Sequence, residues 1–372
     1  MRGAGIKAAI TSINVTAPQL PPISLMSAYR LRMKRRRYLW RAFRARRDLR
    51  AIADNTAHIA QNDILVVVVL RNESLRLPYF LEHYRRLGAA HFLVVDNASD
   101  DGSLALLQRE AKRGDLSLWQ ADGSYRDSRF GLDWSGWLLM HFGHRHWCLT
   151  VDVDELLVYP EMDQMPLPML TDRLDQIGQT GFGALMLDLY SKGPLGAQDY
   201  RAGQDPTEVL RWFDEAPYRA VRQAPQGNLW LQGGARERAF FSNAPERSPT
   251  LNKIPLIRWH WRYAYTNSTH ALLPRALNAL YDGVKGQLPS GVLLHTKFLP
   301  EVVGKAAVER NRAEHFHTPS MFDGYYRQIE ARPDLWHPEA QQYRTPEQLA
   351  ELGLCRGFDE DVTSLPSRCN QF

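Results

Sequence analysis

The chain has 372 residues, 44% of them hydrophobic and 23% charged, which suits a globular protein with a sizeable core and excludes a disordered or fibrous one. The net charge is +5 but unevenly spread: eleven Lys or Arg and one acid, Asp48, lie between Tyr29 and Arg50, a net +10, so the remainder sums to −5. Three cysteines, Cys148, Cys355 and Cys369, are too few and too scattered for a disulfide framework or a zinc site and fit a reducing cytoplasm, and no run reaches the roughly 20 apolar residues of a membrane-spanning helix.

The first 28 residues hold only a weak apolar run over 8–15. Pro18, Pro21 and Pro22 predict a flexible leader without a clear signal peptide. In the basic stretch, Tyr38, Leu39, Trp40 and Phe43 interleave with Arg37, Arg41, Arg44, Arg46 and Arg47. That mixture suits an amphipathic helix at an anionic membrane surface, or a solvated helix leading into the folded body.

The body begins near Asp63. The β-branched run 64–70 reads as a strand buried on both faces of a parallel sheet. Residues 75–88 follow as a helix, with Leu77, Phe80, Leu81, Tyr84 and Leu87 at helical spacing, Pro78 in the first turn and Gly88 as the stop. A second strand covers 91–95, a helix 104–113, a third strand 116–119, a helix 131–141 and a fourth strand 147–153. This β-α-β-α-β-α-β order predicts an α/β fold with an open sheet and crossover helices.

Ligands in such sheets bind at the carboxyl ends of the strands. The polar clusters fall there: Arg71-Asn72-Glu73, Asp96-Asn97 and Asp152-Val153-Asp154-Glu155. The last cluster packs three carboxylates into four residues after an apolar run. Like charges so placed repel one another and lose solvation unless a cation holds them, and Mg²⁺ or Mn²⁺ prefers such oxygen ligands. If the strand runs to 153, Asp152 and Asp154 share one face. The alternative for the isolated tripeptide is a solvated strand-to-turn junction.

The ordered set Leu70-Arg71-Asn72-Glu73, the 77–84 helix, Asp96 to Ser103 and Asp152-Val153-Asp154-Glu155 resembles bacterial glycosyltransferases of the GT-A type, within or near family 2. The resemblance is strongest over 63–157 and continues through 251–256, 268–270 and 294–299. The common family opening has Asn directly after the strand, whereas Arg71 precedes Asn72 here. The resemblance implies a Rossmann-like open mixed sheet flanked by helices, and a metal-dependent transfer of a sugar from a nucleotide-diphosphate donor to a hydroxyl acceptor with inversion. A carbohydrate or glycolipid acceptor, and a place in surface polysaccharide or lipopolysaccharide assembly, follow from the same resemblance.

Carried over residue by residue, it implies that Arg71, Asn72, Glu73 and Asp96 hold the nucleoside. Asp154 would contact Mn²⁺ or Mg²⁺ directly, Asp152 the metal or the ribose, and His295 would be a third ligand, with His270 as second choice. Lys297 would touch phosphate. The general base is expected at Glu237, or else at Asp188, a lone acid in an apolar strand. The expected organisation is a basic, partly disordered arm over 1–62, a catalytic domain over 63–300 and a helical extension over 301–372. The location would be cytoplasmic, with residues 29–50 at the inner face of the membrane. A metal-dependent nucleotidyl- or phosphoryl-transfer enzyme is one alternative, although no phosphate-binding Gly-rich loop is present. A non-catalytic membrane adaptor is another. No nucleic-acid recognition motif is visible.

Overall fold

The structure is a computed structural model that describes residues 20–312 and 323–358. The proposed leader up to Gln19 and Cys369 lie outside the described residues. In chain order the elements that build the body are α1 (Leu25–Ala45), β1 (Leu49–Ala53), β2 (Leu65–Leu70), α2 (Leu77–Arg86), β3 (His91–Asp96), α3 (Ser103–Glu110), β4 (Leu116–Ala121), α4 (Leu132–His141) and β5 (Trp147–Thr150). There follow β6 (Glu155–Val158), α5 (Leu167–Gln176), β7 (Gly181–Asp188), α6 (Gly234–Phe240), the strands Asn252–Arg258 and Ser290–His295, and α7 (Val302–Arg312).

Nine strands form one mixed sheet in the order β1, β4, β3, β2, β5, Asn252–Arg258, β7, Ser290–His295, β6. The expected α/β fold is present. β4, β3, β2 and β5 run parallel, as right-handed crossovers through α2, α3 and α4 require. The strand Asn252–Arg258 inserts antiparallel between β5 and β7. Beyond it, Ser290–His295 lies parallel to β7 and antiparallel to β6.

Alternation along β2 explains the layers. Val66 and Val68 face one core with Phe80, Tyr84, Leu107 and Leu170, so α2, α3 and α5 cover that face. Leu65 and Val67 face the other, with Trp134, Leu138 and Phe240 from α4 and α6. Both faces are buried, hence the unbroken aliphatic run that the sequence shows.

One expectation needs correction. The fourth strand does not run to 153: it ends at Thr150, and β6 begins at Glu155. Asp152 and Asp154 thus occupy a turn, closed by the Glu155 amide donating to the Asp152 carbonyl at 3.0 Å, which lets Asp152 face Lys253 and solvent while Asp154 faces His295. α1 packs on α4, and β1 pairs antiparallel with β4 at the sheet edge, covering an edge that would otherwise expose unpaired backbone groups. Among the described residues near the C-terminal end, Gly353 accepts from the Lys285 amide at 2.8 Å and Arg356 from the Ser290 amide at 2.9 Å.

His83 on α2 ties helix to sheet. It is buried and donates from Nε2 to the Leu157 carbonyl at 2.9 Å. Burial pushes its pKa down to about 4, against the pull of that carbonyl. A histidine kept neutral by the fold stabilises it fully above the unfolded value near 6.5 and stops doing so as pH falls towards 4. Lowering pH from 7 to 5 should therefore cost about 2 kcal/mol through this residue. Denaturant melts at both pH values check this: His83→Gln, which keeps a donor, should lose less stability on acidification than the parent, and an equal loss would contradict the assignment.

Candidate active site

The carboxyl ends of β2 and β3 form one end of the site. Asn72 takes a left-handed φ of 57°, which Asn tolerates better than most residues. Its side chain donates to Asp100 Oδ1 at 2.7 Å, and its carbonyl oxygen Oδ1 accepts from the Asp100 amide at 2.9 Å. Ser103 Oγ accepts from the Glu73 amide at 2.9 Å, and Asp101 from the Ser74 amide at 2.9 Å. The two loops are thereby laced into one platform.

Two buried groups on that platform lack partners among the described residues: Asp96 Oδ1 and Arg71 Nε. Asp96 is fully buried and uses only Oδ2, which accepts from the Ser99 amide at 3.1 Å. A buried acceptor left unpaired costs about 1–3 kcal/mol, and a folded protein keeps such a group where a ligand completes it. Arg71 also donates from Nη1 to the Asn97 carbonyl at 3.1 Å.

Glu73 is spent differently from its expected role. Its carboxylate accepts from Arg76 at 3.0 Å and from Lys305 at 2.6 Å. Arg76 also pairs with Glu301 and reaches the Thr296 and Lys297 carbonyls at 3.4 and 3.3 Å. This network fastens the start of α2 to the region after the strand Ser290–His295.

The other end of the site is the acidic turn. Lys253, only 3% exposed, lies 2.7 Å from Glu155 and 3.3 Å from Asp152. Burial raises Glu155 to about 7 against the pull of Lys253, with Asp152 and Asp154 adding to the rise. Asp152 itself is 55% exposed. Asp154 faces elsewhere, with Oδ2 3.2 Å from His295 Nε2. Burial works to raise the Asp154 pKa, but His295, then Arg76 and Lys297, hold it well below the usual carboxylate range. The Thr296 amide donates to the Asp154 carbonyl at 2.7 Å, fixing the turn to that strand.

Behind His295 stands Asp188. Register pairs His295 with Asp188 on adjacent parallel strands, and Asp188 Oδ1 lies 2.6 Å from His295 Nδ1. Arg236 on α6 donates to both Asp188 oxygens, at 3.1 and 2.5 Å. Burial opposes ionisation of Asp188, but Arg236 and then His295 keep it ionised and weakly basic. Asp188 is thus held between Arg236 and His295. Glu237, the other expected base, is not brought to the cluster. It pairs with Arg219 and accepts from Ser248 Oγ at 2.6 Å, because α6 turns it away from the face carrying Arg236. His270 is also not drawn in: its Nδ1 lies 2.5 Å from the Asn252 carbonyl. Lys297 remains beside the cluster, its ammonium 5.6 Å from the Tyr325 ring centre.

Asp154 and His295 are the pair that could hold a divalent ion. Two ligands about 2.1 Å from a metal and at a right angle stand about 3 Å apart, close to the 3.2 Å between Asp154 Oδ2 and His295 Nε2. Asp188 holds the other ring nitrogen, as the outer shell of a metal-binding histidine does. No group of three or more His, Cys, Asp or Glu able to enclose a metal occurs among the described residues, so diphosphate oxygens and water would complete the set. Lys253 and Arg76 were not among the site residues expected from the sequence. The readable signal for Lys253 is a lone cation in the apolar run 251–257.

No family model matches the sequence, and no curated protein matches it. Among solved structures, the chain is similar to Staphylococcus aureus TarS 1–349, with 17% identity over 37% of this chain and 40% of that one and a TM-score of 0.26. The same TarS fragment in complex with UDP gives 16% identity, 37% of each chain and a TM-score of 0.24. The mannosyltransferase PcManGT from Pyrobaculum calidifontis, in complex with GDP-Man and Mn²⁺, gives 14% identity over 82% of this chain and 79% of that one, with a TM-score of 0.31. The chain thus spans less than half of the TarS chains it matches.

The ion-pair geometry makes a stability prediction. Removing one member of a buried pair leaves the other charge uncompensated, a loss of about 3–5 kcal/mol. Lys253→Met should lose that much in urea unfolding. Lys253→Met combined with Glu155→Gln should recover at least half of it, and additive losses would contradict the pairing.

Proposed function

We propose that the protein is a GT-A type glycosyltransferase that moves a sugar from a nucleotide-diphosphate donor to the hydroxyl of a carbohydrate or glycolipid acceptor. The observation that carries this reading is that two unlike features lie at the same carboxyl edge of the adjacent parallel strands β3, β2 and β5. Asp96 and Arg71 present unsatisfied buried polar atoms suited to a nucleoside. Asp154 and His295 present an oxygen and a nitrogen donor suited to a divalent ion, with Arg76 and Lys297 close enough to act on the same charge.

In this reading the nucleoside rests against the loops after β2 and β3, and Asp96 Oδ1 accepts from its base or ribose. The diphosphate extends towards the turn 151–154. Mn²⁺ or Mg²⁺ bound by Asp154 and His295 would neutralise the charge developing on the leaving diphosphate. Asp188 keeps the His295 ring in place through Nδ1, and Arg236 keeps Asp188 ionised. Lys297 adds positive charge on the phosphate side. Asp152, the most solvated acid of the turn, lies where a ribose hydroxyl or metal-bound water can meet it. Inversion needs an unengaged carboxylate beside the acceptor, and Glu237 and Asp188 are both held in ion pairs, so we assign that step to neither.

The test is calorimetric titration with UDP and GDP, with and without Mn²⁺, followed by a panel of nucleotide sugars scored for metal-dependent hydrolysis and transfer. Mn²⁺ should strengthen binding. Asp154→Asn should weaken it at least tenfold and lower turnover about a hundredfold. Asp188→Asn should weaken the Mn²⁺-dependent part about 10–100-fold while metal-free binding stays unchanged. Nucleotide binding that ignores both Mn²⁺ and Asp154→Asn would overturn the reading.

A further inference from the structure

α1 carries a surface that the proposed reaction does not use. Over 21 residues it contains eight Lys or Arg and no acid. At 100° per residue, Leu31, Ala42 and Ala45 fall on one side, and these are its buried residues. The opposite side carries Met26, Tyr29, Met33 and Trp40, exposed between 41% and 60%. On a helical projection these four lie within about one-sixth of the circumference, a narrow stripe. Arg30, Arg36 and Arg37, all exposed, flank the stripe on the same outward half, and exposed Arg44 lies at its edge in line with Met26.

The helix is fastened to the body, which fixes the direction in which this stripe points. Arg41 donates from Nε to Asp133 at 2.8 Å, and Arg129 holds the other oxygen of Asp133 at 2.7 Å. The Arg129 guanidinium also lies 3.9 Å from the Tyr38 ring centre. Phe43 meets Trp137 edge to face at 5.9 Å. Exposing four large apolar side chains in one line is unfavourable in water unless something covers them.

We propose that this outward face of α1 is a docking surface for a lipid bilayer containing anionic headgroups, with the helix lying in the plane of the interface. Met26, Tyr29, Met33 and Trp40 enter the boundary between headgroups and acyl chains, and the flanking arginines meet the anionic headgroups. Charge selects this occupant. A second copy of the helix would bring eight positive charges against eight. A nucleic acid would match the charge but would leave the methionines at the centre of the face without a partner. No helix among the described residues is long and apolar enough to cross a membrane, so α1 rests on the bilayer and does not span it. The proposal is independent of the glycosyl-transfer reading.

Co-sedimentation of the full chain with vesicles tests it, comparing phosphatidylcholine alone with phosphatidylcholine mixed with phosphatidylglycerol. Binding should be at least about tenfold tighter to the mixed vesicles and should weaken with salt. Arg36→Gln with Arg37→Gln should lose about thirtyfold, from roughly 1 kcal/mol per arginine. Met33→Ser with Trp40→Ser should lose at least about tenfold with all charges retained. A nitroxide lipid label should quench less fluorescence in Trp40→Phe than in the parent. All of these side chains are exposed, so circular dichroism and melting temperature should not move. Vesicle binding indifferent to the serine pair would overturn the proposal. So would tighter binding to a duplex oligonucleotide than to mixed vesicles, or a dimer in sedimentation velocity that the serine pair dissolves.

Discussion

The site depends on one electrostatic condition: Asp154 and Glu155, largely withdrawn from water, must each find positive charge, while Asp152, 55% exposed, keeps its solvent. The cations come from far along the chain. Lys253 serves Glu155 and Asp152, and His295 serves Asp154. Both strands lie later in the chain than β5 and β6: Lys253 sits on the antiparallel strand Asn252–Arg258, and His295 ends a strand that runs parallel to β7. The network then spreads outward through Asp188 and Arg236 to α6, and through Arg76 and Glu73 to Lys305 on α7.

Within this arrangement, satisfied and unsatisfied groups separate cleanly. Asn72 and Glu73 are consumed in holding loops together, and Glu237 in holding α6 to its neighbours. Asp96 Oδ1 and Arg71 Nε, by contrast, are buried without partners among the described residues. Buried polar atoms without partners also occur elsewhere, Ser191 Oγ and Trp259 Nε1 among them; Asp96 Oδ1 and Arg71 Nε stand out because they lie together at the carboxyl ends of β2 and β3. Polar residues clustered at strand ends are thus not equivalent, and hydrogen-bond accounting distinguishes scaffold from site.

Much of the fold was legible in the sequence. The run 64–70 announces a two-faced buried strand by its lack of polar alternation, and the spacing of Leu77, Phe80, Leu81 and Tyr84 announces α2. The position of Asp96 at the end of β3 was equally readable. What could not be read is what depends on distant pairing. The pattern Val151-Asp152-Val153 reads as a strand continuing to 153, whereas the chain turns after Thr150, closed by the hydrogen bond from the Glu155 amide to the Asp152 carbonyl. Nothing local says that Lys253 meets Glu155, or that Arg236 takes the lone acid Asp188 out of service as a base. The attachment of β1 to β4 was hidden for the same reason, because arginine density around a short strand reads as a solvated arm.

The central claim is that Asp154 and His295, oriented by Asp188, form the phosphate end of a nucleotide site whose nucleoside end is Asp96. The most direct measurement is a crystal structure of the protein grown with Mn²⁺ and a nucleoside diphosphate, with the metal located by anomalous scattering. The account predicts a single metal peak within bonding distance of Asp154 and of His295 Nε2, and a nucleoside hydrogen-bonded to Asp96 Oδ1. A nucleotide bound elsewhere, or a metal held without either of those two side chains, would contradict it.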